Sequence, residues 1–283
     1  MGCALLNRLH HCNELEPTQL GRRWTRCSSH SRSYTYRRGL GNLSRRTPKQ
    51  IINMHVKLVA VTQPNPDHTL AKDMTAEDLI VMMARVSSPA NQANTETAPN
   101  LIRYLIKNKH WSPFDMVNMT VEVKTSKAIA IQILRHWSIK PQEFSQRYAE
   151  VTEIEPIQLR KAGATNRQSS EEAFDPVFSF TGYIDYTQEA SRCIEEYILQ
   201  GQELYRNLLD AGVAKECARM ILPMATSTVM YLNGSVRSWI HYLEQRTDQH
   251  AQLEHREVAA EIKRIFAEQF PNIAKAIEDG RHG

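Results

Sequence analysis

Hydrophobic and polar positions between residues 54 and 270 follow two different periods. Apolar side chains alternate with polar ones over 117–124, which predicts a strand with one buried face. Alternating and β-branched residues at 55–62 predict another strand, and the β-branched run at 224–232 favours a third. Because helical patterns separate these runs, we expect a single α+β domain in which long helices flank a mixed or antiparallel sheet.

Helices are predicted where apolar stripes recur at three- and four-residue spacing. Thr75 and Asp78 form a capping-box pattern before the first of them, and Ser126 is placed to cap the third. The predicted helices cover residues 75–86, 97–106, 126–134, 187–209, 214–222, 235–246 and 250–270. Residues 160–185 are polar with scattered aromatics, and no element is assigned there.

Basic residues are concentrated at the start of the chain. Residues 1–53 contain ten Lys or Arg and two Glu, a balance of +8, whereas the whole chain carries +4. The 25 basic and 29 acidic residues of 54–283 then give −4, so this part lacks a general nucleic-acid-binding charge. We expect 1–53 to be a disordered basic extension before a domain at 54–283. An organelle transit peptide and upstream sequence read through to Met54 are alternatives, and read-through is preferred.

Composition favours a cytoplasmic protein, in the host cytoplasm if the source is viral. No apolar run approaches the roughly 20 residues of a membrane helix, and five cysteines without paired spacing fit a reducing compartment. Cys12, Cys27 and His30 lack a fourth ligand, so no metal site is predicted. Cys193 and Cys217 fall in amphipathic helices, and we expect small buried side chains there, not nucleophiles.

The residues with the most distinctive chemistry lie between 135 and 147. An apolar helix ends here by presenting Arg135 and His136, and Pro141 then disfavours helix, which predicts a polar loop. The loop carries Gln142, Glu143, Ser145 and Arg147. Arginine binds phosphate in a planar fork, while Glu, Gln and backbone groups bind base edges. The segment therefore suits a phosphorylated ligand that also bears amide groups.

The order Arg135-His136-Trp137, seven residues, Ser145, then Arg147-Tyr148 resembles the Arg-His-Arg-x7-Ser signature of flavin-dependent thymidylate synthases. The resemblance covers most of 54–270. Other matching segments are Ala84-Arg85-Val86-Ser87, His110-Trp111-Ser112-Pro113-Phe114-Asp115, Arg219 to Pro223, Arg237-Ser238, Arg246 and His250-Ala251-Gln252-Leu253-Glu254. The departures are Trp137 for Arg, Asp115 for Glu, Met116 for His, Ser235 for Asn, and Gln245.

The resemblance implies two sets of ligand-binding residues. Positions matching those that bind dUMP are Gln132, Arg135, Glu143, Phe144, Ser145, Gln146, Arg147, Arg219 and Arg246. Positions matching those that line the FAD are Ser87, His110, Ser112, Asp115, Arg135, His136, Trp137, Ser138, Ser235, Arg237, His241, Gln245, Arg246 and His250. In the family both sets come from more than one subunit, which implies a homotetramer.

The reaction implied by the resemblance is reductive methylation of dUMP to dTMP. Methylenetetrahydrofolate supplies the carbon, and FAD reduced by NADPH supplies the hydride. Arg246 is the first choice for electrostatic activation of the uracil and Arg135 the second. The pairs Arg237–His241 and Arg246–His250 are each four residues apart, which predicts a shared helical face.

Two alternative functions remain open from the sequence. The chain keeps the residues that match dUMP-binding positions but departs from the family at positions beside the flavin. This combination would also fit a flavin-dependent pyrimidine nucleotide alkylase that uses another one-carbon donor or substrate. The basic residues of 1–53 would fit a protein that binds nucleic acid through this arm. In that case binding would depend steeply on salt and be lost when the arm is deleted.

Overall fold

The computed structural model describes residues 55–151, 153–164, 170–182 and 184–281, all within one unit. The predicted extension 1–53 lies outside these residues. The strands are β1 (His55–Val61), β2 (Asn118–Ser126), β3 (Lys140–Glu143), β4 (Arg160–Ala162), β5 (Ser170–Ala173), β6 (Val177–Phe180), β7 (Tyr186–Glu189) and β8 (Ser227–Ser235). The helices are α1 (Ala76–Ala84), α2 (Ala98–Lys107), α3 (Lys127–Leu134), α4 (Ala190–Asp210), α5 (Lys215–Ala218), α6 (Val236–Arg246), α7 (Leu253–Gln269) and α8 (Pro271–Arg281).

The central sheet has four antiparallel strands in the order β1–β2–β8–β3. One face of β2 is fully buried, with Val121 opposite Leu232 of β8, as the alternating pattern predicts. The helices α6 and α7 bury Trp239 and Phe266 in the same core. The indole N–H of Trp239 donates to the carbonyl of Met119 at 2.9 Å, which ties α6 to β2. The predicted α+β class is confirmed.

The two longest strands lead directly into helices through a capping serine. Ser126 ends β2 and accepts from the backbone N–H of Ile129 at 3.4 Å, as predicted. Ser235 ends β8 and accepts from the N–H of Ser238 at 3.2 Å. Because β2 and β8 are antiparallel and in register, α3 and α6 begin at opposite ends of the sheet. The strand pair therefore places two site-bearing helices.

Close packing holds the segment after α3 against the end of β8. A Cβ added at Gly234 would lie 2.6 Å from Cδ1 of Ile139, far inside a normal contact. Ile139 is itself buried. A Cβ at this strand position would displace the side chain of Ile139, so glycine lets the segment that carries His136, Trp137 and Ser138 pack closely against the end of β8.

Several predicted boundaries are wrong. Residues 140–143, predicted as part of a loop, form β3 because they pair with β8, and this pairing could not be seen locally. The helix predicted at 187–209 begins at Ala190, since 186–189 pair as β7. The helix predicted at 214–222 is only α5 followed by a 3₁₀ turn at Arg219–Ile221. The unassigned stretch 160–185 contains the antiparallel pair β4–β5 and the strand β6, which pairs with β7 just after it.

The last predicted helix, 250–270, corresponds to α7, and a further helix that was not predicted, α8, follows it. The chain leaves helical geometry at Phe270, and α8 starts at Pro271, where a missing N–H costs nothing. The first residues of α8 bind the buried Glu77 of α1. The carboxylate of Glu77 accepts hydrogen bonds from the N–H of Ile273 at 2.7 Å and from Nδ2 of Asn272 at 2.9 Å. The predicted capping box before α1 is present at Thr75. None of the helices in the described ranges is long and apolar enough to span a membrane.

Candidate active site

A cavity of about 610 Å³ opens beside the first turns of α6. Five residues that match the family's flavin positions line it: Asp115, Trp137, Ser138, Arg237 and His241. The predicted shared helical face of Arg237 and His241 is confirmed here, because both line one wall. The Trp137 ring is 82% exposed and offers a flat apolar surface. Three distant stretches of chain therefore meet at this cavity.

Asp115 binds two other polar side chains at the cavity. Its Oδ1 accepts from the hydroxyl of Ser235 at 2.8 Å, and its Oδ2 accepts from Nη1 of Arg237 at 3.0 Å. The same Ser235 hydroxyl lies 3.1 Å from that of Ser238. The carboxylate thus holds the Arg237 guanidinium beside the start of α6.

Of the two residues predicted at the helix end, His136 is buried and Arg135 is exposed. The ring centroid of His136 lies 5.1 Å from that of His241 and 5.2 Å from that of Tyr242. Burial, together with the nearby His241 and Arg246, lowers the pKa of His136 to about 4. Its Nε2 has no hydrogen-bond partner among the described residues. At neutral pH this ring is uncharged and packs against His241, which lines the cavity.

Gln132 and Arg246 both lie near a second buried histidine. Nδ1 of His255 is 3.3 Å from Oε1 of Gln132, and its Nε2 is 3.0 Å from the hydroxyl of Tyr242. Burial, with Arg246 and His136 nearby, lowers the pKa of His255 to about 4. The Nε of Arg246 is buried and has no partner within the described part of the chain. Arg246 therefore keeps hydrogen-bonding capacity beside two neutral rings.

A second cluster of predicted dUMP-binding residues is built from different elements. Nε of Arg147 lies 3.3 Å from the carboxylate of Glu216 on α5, and Nε of Arg219 donates to the carbonyl of the same residue at 3.3 Å. The hydroxyl of Ser145 accepts from the N–H of Arg147 at 3.4 Å. Sequence reasoning missed Glu216, which is an ordinary exposed acid except for its position three residues before Arg219.

The strand β3 and the residues after it carry three further predicted dUMP-binding positions. Oε1 of Glu143 accepts from Nζ of Lys127 at 2.6 Å and from Thr228 at 3.0 Å. Phe144 is 37% exposed and its N–H extends the pairing with β8, while Gln146 is buried. The ion pair with Lys127 balances the charge of Glu143, and no pattern in the sequence linked these two residues.

The remaining flavin-matching residues surround the cavity or lie apart from its lining. Gln245 contacts His241 at 2.9 Å between its Nε2 and the ring Nε2. The helix α6 ends at Arg246, so His250 sits in the following loop, where its Nδ1 lies 2.6 Å from Asp248. The predicted helical face shared by Arg246 and His250 is therefore wrong.

Ser87, His110, Ser112 and Arg135 are exposed, and none lines the cavity. His110 packs edge-on against Tyr104 with 5.8 Å between ring centroids, and Ser112 opens a 3₁₀ turn that carries Asp115.

Some matching motif residues have a structural role. The buried Arg85 donates to the carbonyls of Asn91 and Asn94 and, at 2.7 Å, to the hydroxyl of Thr97. It therefore organises the link between α1 and α2.

Of the two cysteines in the described ranges, Cys193 is half-buried and Cys217 is exposed, so the prediction of a buried side chain is wrong for Cys217.

Prediction from the sequence also missed two residues that line the cavity and one buried histidine near it. Trp111 and Lys140 line the cavity, and Nζ of Lys140 lies 6.0 Å from the Trp137 ring centroid. His255 had a detectable signal, because it falls on the apolar stripe of α7 with Val258 and Ile262.

Comparison with known proteins identifies the family. The model of the thymidylate synthase complementing protein family matches residues 69–272. The chain belongs to this family. A probable flavin-dependent thymidylate synthase of Paramecium bursaria Chlorella virus 1 is 46% identical over 226 residues, which are 80% of this chain and 99% of that protein. A flavin-dependent thymidylate synthase of Synechocystis is 43% identical over 225 residues, 80% and 100% of the two chains.

A solved structure agrees with the fold. The UMP/dUMP methylase PolB from Streptomyces cacaoi, bound with 5-Br dUMP, superposes with a TM-score of 0.63 at 25% identity. The match covers 80% of this chain and 95% of that one. The resemblance inferred from the separated motifs is thus confirmed.

Proposed function

We propose that this protein is an FAD-dependent thymidylate synthase that converts dUMP to dTMP by reductive methylation. The observation that carries the proposal is the meeting of Asp115, Trp137, Ser138, Arg237 and His241 at one cavity. These residues come from three separate stretches of the sequence, and each matches a flavin position of the family. Relatives at 43% and 46% identity carry the name of this activity.

The cavity residues suit a flavin nucleotide. Trp137 offers an exposed aromatic face for a flat ring system, and Arg237 with Lys140 supplies positive charge for a pyrophosphate. The hydroxyl oxygen of Ser138 is buried and has no partner in the described ranges, so it is free to bond a ligand. When bound, FAD would supply the hydride that completes the new methyl group.

We assign the binding of dUMP to two groups of residues outside the cavity. One contains Ser145, Arg147 and Arg219, and the other contains Arg246 and Gln132. Arg147 and Arg219, with the Ser145 hydroxyl, form a cationic group suited to the phosphate. Arg246 would lie beside the uracil ring of dUMP, where its positive charge polarises a pyrimidine carbonyl. Because His136 and His255 are neutral, neither competes with that charge for the developing anion. Arg135 is exposed at the end of α3 and remains our second choice.

We further propose a homotetramer that takes NADPH and methylenetetrahydrofolate as co-substrates in the cytoplasm. The phosphate-binding cluster of Ser145, Arg147 and Arg219 lies on the loop after β3 and on the 3₁₀ turn after α5, whereas Arg246 and Gln132 lie on α6 and α3. Assembly would allow the two groups to meet across subunits. The exposed rings of Phe144 and Tyr148, beside the phosphate-binding cluster, support this arrangement.

The activity is tested by tritium release from dUMP labelled at the methylated carbon, with FAD-loaded protein, NADPH and methylenetetrahydrofolate. We expect release by the wild type and by a 54–283 truncation, and a loss of about 10²- to 10³-fold in Arg246→Ala. UMP is assayed in parallel, because the name of the structural relative includes it.

A protein that binds FAD and dUMP but releases no tritium would contradict the synthase. It would instead support the alkylase with another donor or substrate. Salt-dependent nucleic-acid binding lost in the truncation would support the remaining alternative.

A further inference from the structure

Five polar side chains form one line of hydrogen bonds next to Arg246. The Tyr242 hydroxyl is 3.0 Å from Nε2 of His255, whose Nδ1 is 3.3 Å from Oε1 of Gln132. Nε2 of Gln132 is 2.6 Å from Oε1 of Gln252, and Nε2 of Gln252 is 2.8 Å from Oε2 of Glu254. We call this line, from Tyr242 to Glu254, the relay. It joins α6, α7 and α3.

The acidic end gives the relay a single direction. Burial opposes the ionisation of Glu254, but hydrogen bonds from Arg160, at 2.7 Å, and from Gln252 hold its pKa below the usual value. An ionised carboxylate only accepts hydrogen bonds. Gln252 must therefore turn its NH₂ group toward Glu254 and its carbonyl toward Gln132. Gln132 must in turn present its NH₂ to Gln252 and its carbonyl to His255.

The hydrogen bonds at the buried end of the relay, from Tyr242 through His255 to Gln132, run in the same direction. Since Gln132 offers a carbonyl, Nδ1 of His255 carries the proton and Nε2 accepts from the Tyr242 hydroxyl. Burial raises the pKa of Tyr242, so this hydroxyl stays protonated. His255 is fully buried and neutral. Reversing one amide would bring two acceptors or two donors together, which is costly in a buried network.

We infer that His255 is a positioning residue that fixes the Gln132 amide so that its second N–H points to an oxygen of the bound nucleotide. One N–H of Gln132 is used by Gln252, and no described residue takes the other. Gln132 is half-buried and contacts His255, and the positive charge of the nearby Arg246 helps to lower the pKa of the same His255. The inference rests on the proposed dUMP site. It adds His255, Gln252 and Glu254 to the residues that determine nucleotide affinity.

His255→Leu and His255→Asn test the relay. Leu removes both hydrogen bonds at similar volume, whereas the Asn side chain places an N–H near the position of Nδ1 and can still hold Gln132. In FAD-loaded His255→Leu we expect the dUMP KM to rise about 10-fold with kcat within about 3-fold, and equilibrium binding of dUMP to weaken to match. His255→Asn should recover most of this affinity. His55→Leu, on β1 beside Glu122, is the matched control and should change neither value.

Unchanged dUMP affinity in His255→Leu would overturn the inference. So would equal losses of kcat, affinity and melting temperature that His255→Asn does not rescue. If His255→Leu fails to fold, the exposed Gln252→Leu breaks the relay from its other end and should weaken dUMP binding about 3-fold, and no change there overturns it. A wild type that neither binds nor turns over dUMP would instead sink the proposed function.

Discussion

The hydroxyl of Ser235 donates to the carboxylate of Asp115 at 2.8 Å. Each residue departs from the pattern of flavin-dependent thymidylate synthases, in which an acid one methylene longer and an amide are usual. The two departures therefore contact each other. Arg237 binds the other oxygen of the same carboxylate, so the altered pair still orients a cation at the cavity.

Ser235→Ala should affect both stability and flavin binding. It removes the cap of α6 and one hydrogen bond to Asp115, so we expect a loss of about 1 kcal/mol in unfolding free energy and FAD binding weakened about 3-fold. Thermal unfolding and flavin fluorescence titration measure the two effects. Ser126→Ala, which removes the corresponding cap of α3, should lower stability alone. Equal FAD affinity in the two variants would contradict a role for Ser235 at the cavity.

Trp137→Ala should weaken FAD binding about 3- to 10-fold, because the variant loses an exposed aromatic face. Trp137→Phe keeps a ring and should retain most of the affinity. Since Trp137 is 82% exposed, neither change should lower the melting temperature by more than a degree or two. Equal affinity of the Ala variant and the wild type, measured by quenching of flavin fluorescence, would rule out stacking.

Arg147→Ala should weaken dUMP binding, whereas Glu216→Gln should not. The Gln variant removes the negative charge that pairs with Arg147, so we expect binding that is unchanged or about 2-fold tighter. The Ala variant removes a phosphate-binding cation and should bind about 10-fold more weakly. Isothermal titration with dUMP at two salt concentrations checks both. Weaker binding in Glu216→Gln would show that Glu216 contributes to the site directly.

Stability should fall in mild acid because of His136 and His255. Both have a folded-state pKa of about 4 against an ordinary value of 6.5, so the unfolded chain binds more protons between these values. Unfolding free energy is therefore fully retained above pH 6.5 and decreases as pH falls toward 4, by about 1–2 kcal/mol per histidine between pH 7 and 5.

Urea unfolding of the wild type and His255→Asn at both pH values measures this dependence. The variant should lose less stability on acidification, since one buried histidine is gone. His55→Leu serves as the control, because it leaves both buried histidines in place and should keep the loss of stability that they cause on acidification. A pH dependence identical in all three proteins would contradict the contribution of His255.

Much of the architecture could be predicted from local pattern. The alternation over 117–124 predicted a one-sided strand, and the caps at Thr75 and Ser126 predicted two helix starts that the structure shows. The motif order predicted the family. Each of these signals lies within a few residues of chain, where side-chain period and capping chemistry act directly.

The sequence by itself determined the α+β class, most helices and the residue types of the site. Only the tertiary structure decided that 140–143 form a strand, because β8 supplies its partner from about 90 residues away. Likewise, only packing buried His136 against His241 and Tyr242, joined Asp115 to Ser235, and aligned His255 with Gln132. Periodicity records which side of an element is apolar, but the contacts between distant elements determine which polar groups meet and how they are charged.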